Sequence, residues 1–324
     1  MRIPPLSPVE FDGPVAVITG GWSGERDRSL LSGHTVMETL LSQGIKTRMI
    51  DLEDDQESLV LDLHGTSVAF LAIAGRGAED GRLQGLLETL GVDYTGSGVL
   101  TSALGMNKLA AKVQVAAAGV RTVGSSRVDP YADPAQEAQR IADTHGLPVV
   151  IKPVCEGGSI GVVVARRLDE VAEVVRGAGR TALMAETYIS GRSVSVGILE
   201  APDGTLTVLP PLETETTEEI YSYAAKRTTD ATMYHCPARV SDELISALRD
   251  QAALAHRALH CHSYSRHDFV VSETAGAVWL EVNTLPGLSR GGNLARMARA
   301  AGLSYEQLLA HIARGARTDR RAKA

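Results

Sequence analysis

Near its C-terminus the chain reads Val278-Trp-Leu-Glu-Val-Asn283-Thr-Leu-Pro-Gly287. Alternation makes 278–283 a strand, with Leu280 and Val282 on one face and Glu281 and Asn283 on the other. Pro286-Gly287 stops it in a turn, the kind of place where functional side chains collect. Upstream, Arg266-His-Asp268 puts Arg266 and Asp268 on a shared face in the same way. If the two strands are neighbours, Asp268, Glu281 and Asn283 form one polar array. Three oxygen donors without His or Cys suit Mg2+, which keeps waters and bridges phosphates. Arg266 beside them can hold charge developing on a phosphoryl or acyl group. A solvent-facing sheet with ordinary ion pairs would show the same residues, and the adjoining turn favours the site.

Working outward, the chain alternates strands and helices. Pro14-Val-Ala-Val-Ile-Thr19 is an apolar run entering Gly20-Gly21. A helix follows, with Leu30/Leu31, Val36/Met37 and Leu40/Leu41 near helical spacing and Gly44 as its stop. Strands are expected at 47–51 and 68–73. Leu83, Leu86, Leu87 and Leu90 fall at i, i+3, i+4, i+7 before Gly91, a helix with one apolar face. Strand–helix–strand alternation implies a parallel sheet covered on both faces, hence an α/β unit. Helices near 106–118 and 134–145 and strands at 147–153 and 182–186 make a second unit. Within it, Lys152 precedes the loop Glu156-Gly-Gly-Ser-Ile-Gly161. Its glycines let backbone N–H groups turn toward an anion. It is not the P-loop pattern, which needs Lys-Ser/Thr after the last glycine. The third unit has strands at 194–199, 206–210, 267–271 and 277–283 and helices at 242–259 and 304–314. The expected division is 1–105, 106–190 and 191–324.

Composition narrows the function classes. The 324 residues are 44% hydrophobic and 22% charged, an ordinary globular balance. The formal charge is 32 − 39 = −7, which argues against a nucleic-acid coat. Aromatics at 4% argue against stacking platforms for single strands. Cys155, Cys236 and Cys261 are odd in number and widely spaced. That fits a reducing cytosol better than a disulfide framework or a zinc site. No apolar run approaches the roughly 18 residues of a transmembrane helix. The Pro-rich start lacks the apolar core of a signal peptide. The expectation is a cytoplasmic protein without a nucleic-acid or membrane partner.

At this point the chain resembles the D-alanine–D-alanine ligases of the ATP-grasp superfamily, from about residue 14 to 315. The blocks come in family order: Gly20-Gly21-Trp-Ser-Gly-Glu25-Arg26-Asp27, Gly75-Arg-Gly-Ala-Glu-Asp80-Gly, Tyr94-Thr-Gly-Ser-Gly98, Met106-Asn-Lys108, Lys152-Pro, the loop 156–161, Tyr223-Ala-Ala-Lys226, Cys236-Pro-Ala238, Arg266-His-Asp268 and Glu281-Val-Asn-Thr-Leu-Pro-Gly287. The resemblance implies an ATP-grasp fold: α/β, α+β overall, three domains, the first a parallel α/β domain and ATP held between the other two. It implies ATP contacts from Lys108, Lys152, Gly157, Gly158, Ser159, Glu186, Ile189 and Lys226. It implies two Mg2+ ions on Asp268, Glu281 and Asn283, with Mn2+ as a substitute. Arg266, the Gly287 N–H and Lys226 would serve the reacting groups, and Glu25 the ammonium of the first amino acid. The implied chemistry is two-step. A carboxylate attacks the γ-phosphate to give an acyl phosphate, and an amine then displaces phosphate to form an amide. A homodimer is implied as well.

The departures fall in the amino-acid shell. Ala74 stands where the family has His, Gly158 where it has Ser, and Arg227 where it has Tyr, and 288–297 does not reproduce the family's Ser-Leu pair. More room and added positive charge predict a first substrate with an extra carboxylate, gripped by Arg227 and Arg290 opposite Glu25. A γ-glutamyl ligase or another dipeptide ligase of natural-product biosynthesis fits this. The alternatives are a D-alanine–D-alanine ligase of cell-wall biosynthesis and a catalytically silent nucleotide-binding regulator. The intact metal array speaks against the last. Residues 214–235, polar and without apolar periodicity, are expected to form a mobile lid.

Overall fold

The computed structural model describes residues 3–52, 56–216 and 232–318. Three sheets organise them. In the first, β1 (Val15–Gly20), β2 (Thr47–Leu52), β3 (Val68–Leu71) and β4 (Asp93–Tyr94) run parallel in the order β2-β1-β3-β4. β1 and β3 are buried along their whole length, as continuous apolar runs under helices should be. The connections are α1 (Arg26–Ser42), α2 (Gln56–Asp62) and α3 (Arg82–Leu90). Leu83 and Leu87 of α3 lie in the core, and Leu86 packs against it, so that apolar face is used within the chain.

Two further helices, α4 (Val99–Met106) and α5 (Lys108–Ala117), lead to an antiparallel sheet in the order β5-β8-β6-β7. Its strands are β5 (Ser125–Arg127), β6 (Val149–Pro153), β7 (Val163–Ala165) and β8 (Leu183–Thr187), backed by α6 (Pro134–His145) and α7 (Leu168–Gly177). α6 begins where Asp133 accepts from the N–H groups of Ala135 and Gln136 with Pro134 at the first helical position, two local start signals.

The third sheet is antiparallel, in the order β12-β11-β9-β13-β14, with β10 paired to β9. Its strands are β9 (Arg192–Glu200), β10 (Leu206–Val208), β11 (Leu212–Thr216), β12 (Thr232–His235), β13 (Tyr264–Ser272) and β14 (Gly276–Asn283). α8 (Asp242–Ala258), α9 (Asn293–Ala300) and α10 (Tyr305–Arg314) complete the chain. The last two return to the first sheet: Leu294, Met297, Leu308 and Ile312 share a core with Val17, Ile18 and Phe70.

The polar segment 214–235 needs correction. Thr214–Thr216 pairs in register with Thr232–Tyr234, so both ends of that segment are strand, and the remainder, 217–231, lies outside the described residues. The residues this ribbon buries, Thr214 and Thr232, are polar, so no apolar periodicity marks it and it reads as loop. α2, α4, α7 and α9 go beyond the elements expected from sequence.

α1 crosses β1 closely at Gly33, where an added Cβ would sit 2.5 Å from Thr19 Cβ. Helix propensity alone favours alanine there by about 1 kcal/mol. Overpacking against a strand outweighs it, so Gly33→Ala should lower stability by about 1–3 kcal/mol. Urea unfolding measures the sign directly, and a stabilised variant would contradict the close crossing.

Candidate functional site

β13 and β14 carry the site. Their register sets Arg266 opposite Asn283 and Asp268 opposite Glu281, then slips so that Phe269 meets Trp279. Leu280 is therefore the extra residue of a β-bulge, which bends the strand and re-aims side chains. Strict alternation sends Leu280 to the side of Val282. The bulge instead brings Leu280 and Glu281 together on the lining of one cleft, while Trp279 and Val278 stay buried.

The acidic side chains are held individually. Arg266 donates to both oxygens of Asp268, Nε to Oδ1 at 2.9 Å and Nη2 to Oδ2 at 2.8 Å. Ser195, opposite on β9, donates to Oδ1 at 2.7 Å. Burial alone would lower the Arg266 pKa, but Asp268, Glu281 and Glu79 push it above its ordinary value, so it stays charged. Lys108 Nζ lies 3.5 Å from Glu281 and donates to the Glu156 carbonyl at 2.5 Å. Asn283 Oδ1 accepts the Leu285 N–H at 3.1 Å. Two carboxylates and an amide oxygen, without nitrogen or sulfur donors, fit a hard divalent cation such as Mg2+.

Beneath the strands another grouping deserves the same test. Ligand atoms of buried His256, Cys261 and His267 lie within 4.8 Å of one another. Ser265 Oγ, however, lies 2.7 Å from His256 Nδ1 and 3.0 Å from His267 Nε2. Trp279 Nε1 donates to His267 Nδ1 at 3.2 Å, and an indole N–H can only donate. The chain therefore runs one way, Trp279 to His267 to Ser265 to His256, ending 3.6 Å from Glu200. Burial pushes the Cys261 thiol up to about 12, far from a thiolate. Hydrogen bonding accounts for this cluster.

Two clefts flank the array. The narrower, of about 210 Å3, is lined by Val150, Lys152, Ser159, Glu186, Tyr188, Ile189, Ser193 and Leu280. Glu186 is buried between Lys152 Nζ at 2.8 Å and Lys112 Nζ at 3.0 Å, the latter off hydrogen-bonding angle. Burial would raise the Glu186 pKa, and the two lysines hold it below its usual value. Burial pulls Lys112 down, whereas Glu186 and Glu281 outweigh burial at Lys152 and raise it. Lys152, with Lys108 and Arg266, brings basic groups to a cleft that also carries Glu156, Glu186, Asp268 and Glu281, a setting for phosphate accompanied by a divalent cation.

The wider cavity, of about 1050 Å3, is lined by Glu25, Glu79, Ala74, Gly157, Gly158, Gly287, Arg290 and Arg296 among others. The glycine loop approaches Glu25 so closely that a Cβ on Gly157 would lie 2.2 Å from Glu25 Oε2. Gly158 sits at φ 64, where glycine carries no penalty. Arg290 reaches the rim, but its guanidinium is tied to Glu306 at 3.1 Å and Thr39 at 2.9 Å and lies over Tyr305. Lys108, Glu156, Arg266, Glu281 and Asn293 line both clefts. The structure thus gathers the expected residues from Glu25 to Gly287 around one junction, whereas Lys226 and Arg227 lie outside the described residues. Lys112, Glu79 and Ser195 are additions. Lys112 follows Lys108 by one helical turn, a spacing visible in sequence; the other two announce nothing locally.

Comparison with known proteins agrees with this geometry. A family model described as D-ala D-ala ligase C-terminus matches residues 113–314. The D-alanine–D-alanine ligase of Trichlorobacter lovleyi is 39% identical over 92% of this chain and 93% of its own. Among solved structures, the D-alanine–D-alanine ligase of Bacillus anthracis complexed with ATP matches with a TM-score of 0.79 at 27% identity, covering 94% of this chain and 96% of that one. The VanG D-Ala:D-Ser ligase of Enterococcus faecalis matches with a TM-score of 0.77 at 25% identity, covering 93% and 98%. The chain belongs to the D-alanine–D-alanine ligase family: it has the ATP-grasp fold and is an ATP-dependent, ADP-forming ligase that makes amide bonds, using ATP with a divalent metal.

The buried Glu79 makes a pH prediction. Burial, reinforced by the charge of Glu25, raises its pKa from 4.5 to about 8. The folded chain therefore keeps a proton that the unfolded chain releases, and stability is lost as pH rises from about 4.5 through about 8. Glu79→Gln removes the titration. Between about pH 5 and about pH 9 the variant should gain at least about 1 kcal/mol on the wild type. Thermal melts of both proteins across that range check it; parallel curves would contradict a neutral Glu79.

Proposed function

With family membership as the premise, we propose that this chain is a D-alanine–D-alanine ligase, joining the carboxylate of one D-alanine to the amine of a second. The supporting observation is the junction itself: Lys108, Arg266 and Glu281 border a phosphate-suited cleft and an amino-acid cavity at once. The substrate assignment follows the relatives, which are named for D-alanine and are 36–40% identical over nine-tenths of the chain. The acidic-substrate reading rests on Arg227, outside the described residues, and on the space at Ala74 and Gly158. The relatives favour D-alanine over it.

Each residue then has a task. Glu25 receives the ammonium of the first D-alanine, and the glycine loop seated on Glu25 covers it. Lys108, Lys152 and the loop, with Lys226, hold the phosphates of ATP; Tyr188, Ile189 and Leu280 enclose the base. Attack of the first carboxylate on the γ-phosphate gives an acyl phosphate and ADP. Asp268 occupies Nε and Nη2 of Arg266, which leaves Nη1 for the acyl oxygen, together with the Gly287 N–H. The second amine attacks the acyl carbon, loses a proton and displaces phosphate; the acyl phosphate survives to that point only where water is kept from it. Asp268, Glu281 and Asn283 would hold two Mg2+ ions, which supply charge neutralisation on the transferring phosphoryl group. The units 1–105, 106–190 and 191–324 are proposed as the domains framing these clefts, in a homodimer. A cytoplasmic setting accords with ATP as substrate and with three free cysteines; no helix among the described residues is long and apolar enough to cross a membrane.

Two experiments test this. ADP formation measured against a panel of amino acids should be fastest with D-alanine, with D-serine and D-glutamate trailing; preference for an acidic amino acid would replace the assignment. Glu281→Gln and Asn283→Ala should each lower turnover by roughly 100-fold or more, the scale for losing one preorganised polar group at a reacting centre, with unchanged circular dichroism. Wild-type turnover in either variant at saturating Mg2+ would remove the metal assignment.

A further inference from the structure

The wider cavity is lined by five basic side chains: Arg28, Lys108, Arg266, Arg290 and Arg296. Four already face a carboxylate. Lys108 lies 3.5 Å from Glu281, Arg266 clamps Asp268, Arg290 pairs with Glu306, and Arg28 lies 3.9 Å from Glu25. Arg296 differs. Its Nε donates to the Gly291 carbonyl at 2.8 Å, and its guanidinium lies 4.3 Å from the centre of the Tyr234 ring. Among the described residues no carboxylate comes within ion-pair distance of it. The side chain is thus held on two sides, by the turn before α9 and by β12, while its charge stays unneutralised and its two Nη groups stay available.

A half-buried guanidinium left without an anion is unfavourable, and its planar fork matches a carboxylate bidentately. The reaction supplies one such anion. The first amino acid consumes its carboxylate in activation. The second keeps its own throughout, as the C-terminal carboxylate of the dipeptide. We propose that Arg296 binds the α-carboxylate of the second, amine-donating amino acid, and so restricts acceptors to α-amino acids with a free carboxylate. This rests on the reading of the cavity as an amino-acid site and adds a residue to it. Arg290, with its guanidinium committed to Glu306 and Thr39, does not fill that place.

The test offers D-alanine with ATP and Mg2+, alone and with D-alaninamide as competing acceptor, and quantifies both products by mass spectrometry. Wild type should make D-alanyl-D-alanine in at least about tenfold excess over its amide. Arg296→Leu should raise the acceptor KM for D-alanine by about 30-fold or more, the scale for truncating one partner of a charge pair. Its kcat should change little, and use of the amide should be unaffected. Arg296→Lys, which keeps the charge, should recover part of the loss. Retained ATP binding and an unchanged melt confirm that the variants are folded; if the leucine variant is not, Arg296→Gln carries the same comparison. An unchanged acceptor KM, or equal losses with the acid and the amide, would overturn the proposal. If wild type makes no D-alanyl-D-alanine, the substrate reading fails separately. The acid-to-amide comparison is then made on the acceptor that the amino-acid panel identifies, and absence of any amino-acid acceptor overturns both.

Discussion

The antiparallel pairing of Arg266–His267–Asp268 with Glu281–Val282–Asn283 is the constraint on which the site depends. It brings two carboxylates, an amide and a guanidinium to one patch of sheet, where like charges would separate if the backbone did not hold them. The bulge at Leu280 lets one strand serve two clefts, with an apolar floor for one and a carboxylate shared by both. On the opposite side of the strands, the one-way chain from Trp279 through His267 and Ser265 to His256 satisfies buried polar groups that would otherwise each cost about 1–3 kcal/mol. The two faces of the same residues thus do different work.

Charge at the junction is held in specific pairs that leave particular basic donors open. Glu186 answers two buried lysines, Arg266 is half used by Asp268, and among the described residues Arg296 meets a carbonyl and an aromatic ring but no carboxylate. Buried charges lacking a partner are expensive. Among the described residues, carboxyl groups outnumber basic groups on the lining of each cleft, so phosphates in one and a carboxylate in the other are met by individual basic donors and a divalent metal, not by a net positive field. This is electrostatic preorganisation in residues: the donors are aimed before the substrates arrive.

Much of this could be read from the chain because its signals are local. α6 was legible from Asp133-Pro134 and a following apolar rhythm, and β14 from simple alternation. The bulge was not, because alternation has no symbol for an extra residue. α9 was obscured by the glycines at 287, 291 and 292 before it, although Leu294, Ala295, Met297 and Ala298 are its buried face. α7 carries Val171, Val174 and Val175 at helical spacing, a short signal within ten residues. Glu79, Ser195 and Arg296 gain meaning only from partners far along the chain, such as Glu25, Asp268 and Tyr234. Alternation located Arg266, family resemblance gave Glu25 and the Gly287 N–H their roles, and the structure shows what surrounds them.

The account turns on one chemical event at the junction of the clefts: transfer of phosphate to the carboxylate of an amino acid, not to water. D-Alanine labelled with 18O in both carboxylate oxygens, turned over with ATP and Mg2+, tests it directly. The inorganic phosphate released should carry one 18O atom drawn from the amino acid, because the acyl phosphate gives up that oxygen when the amide forms. Phosphate whose new oxygen comes from solvent water would contradict the account and leave the protein a simple ATP hydrolase.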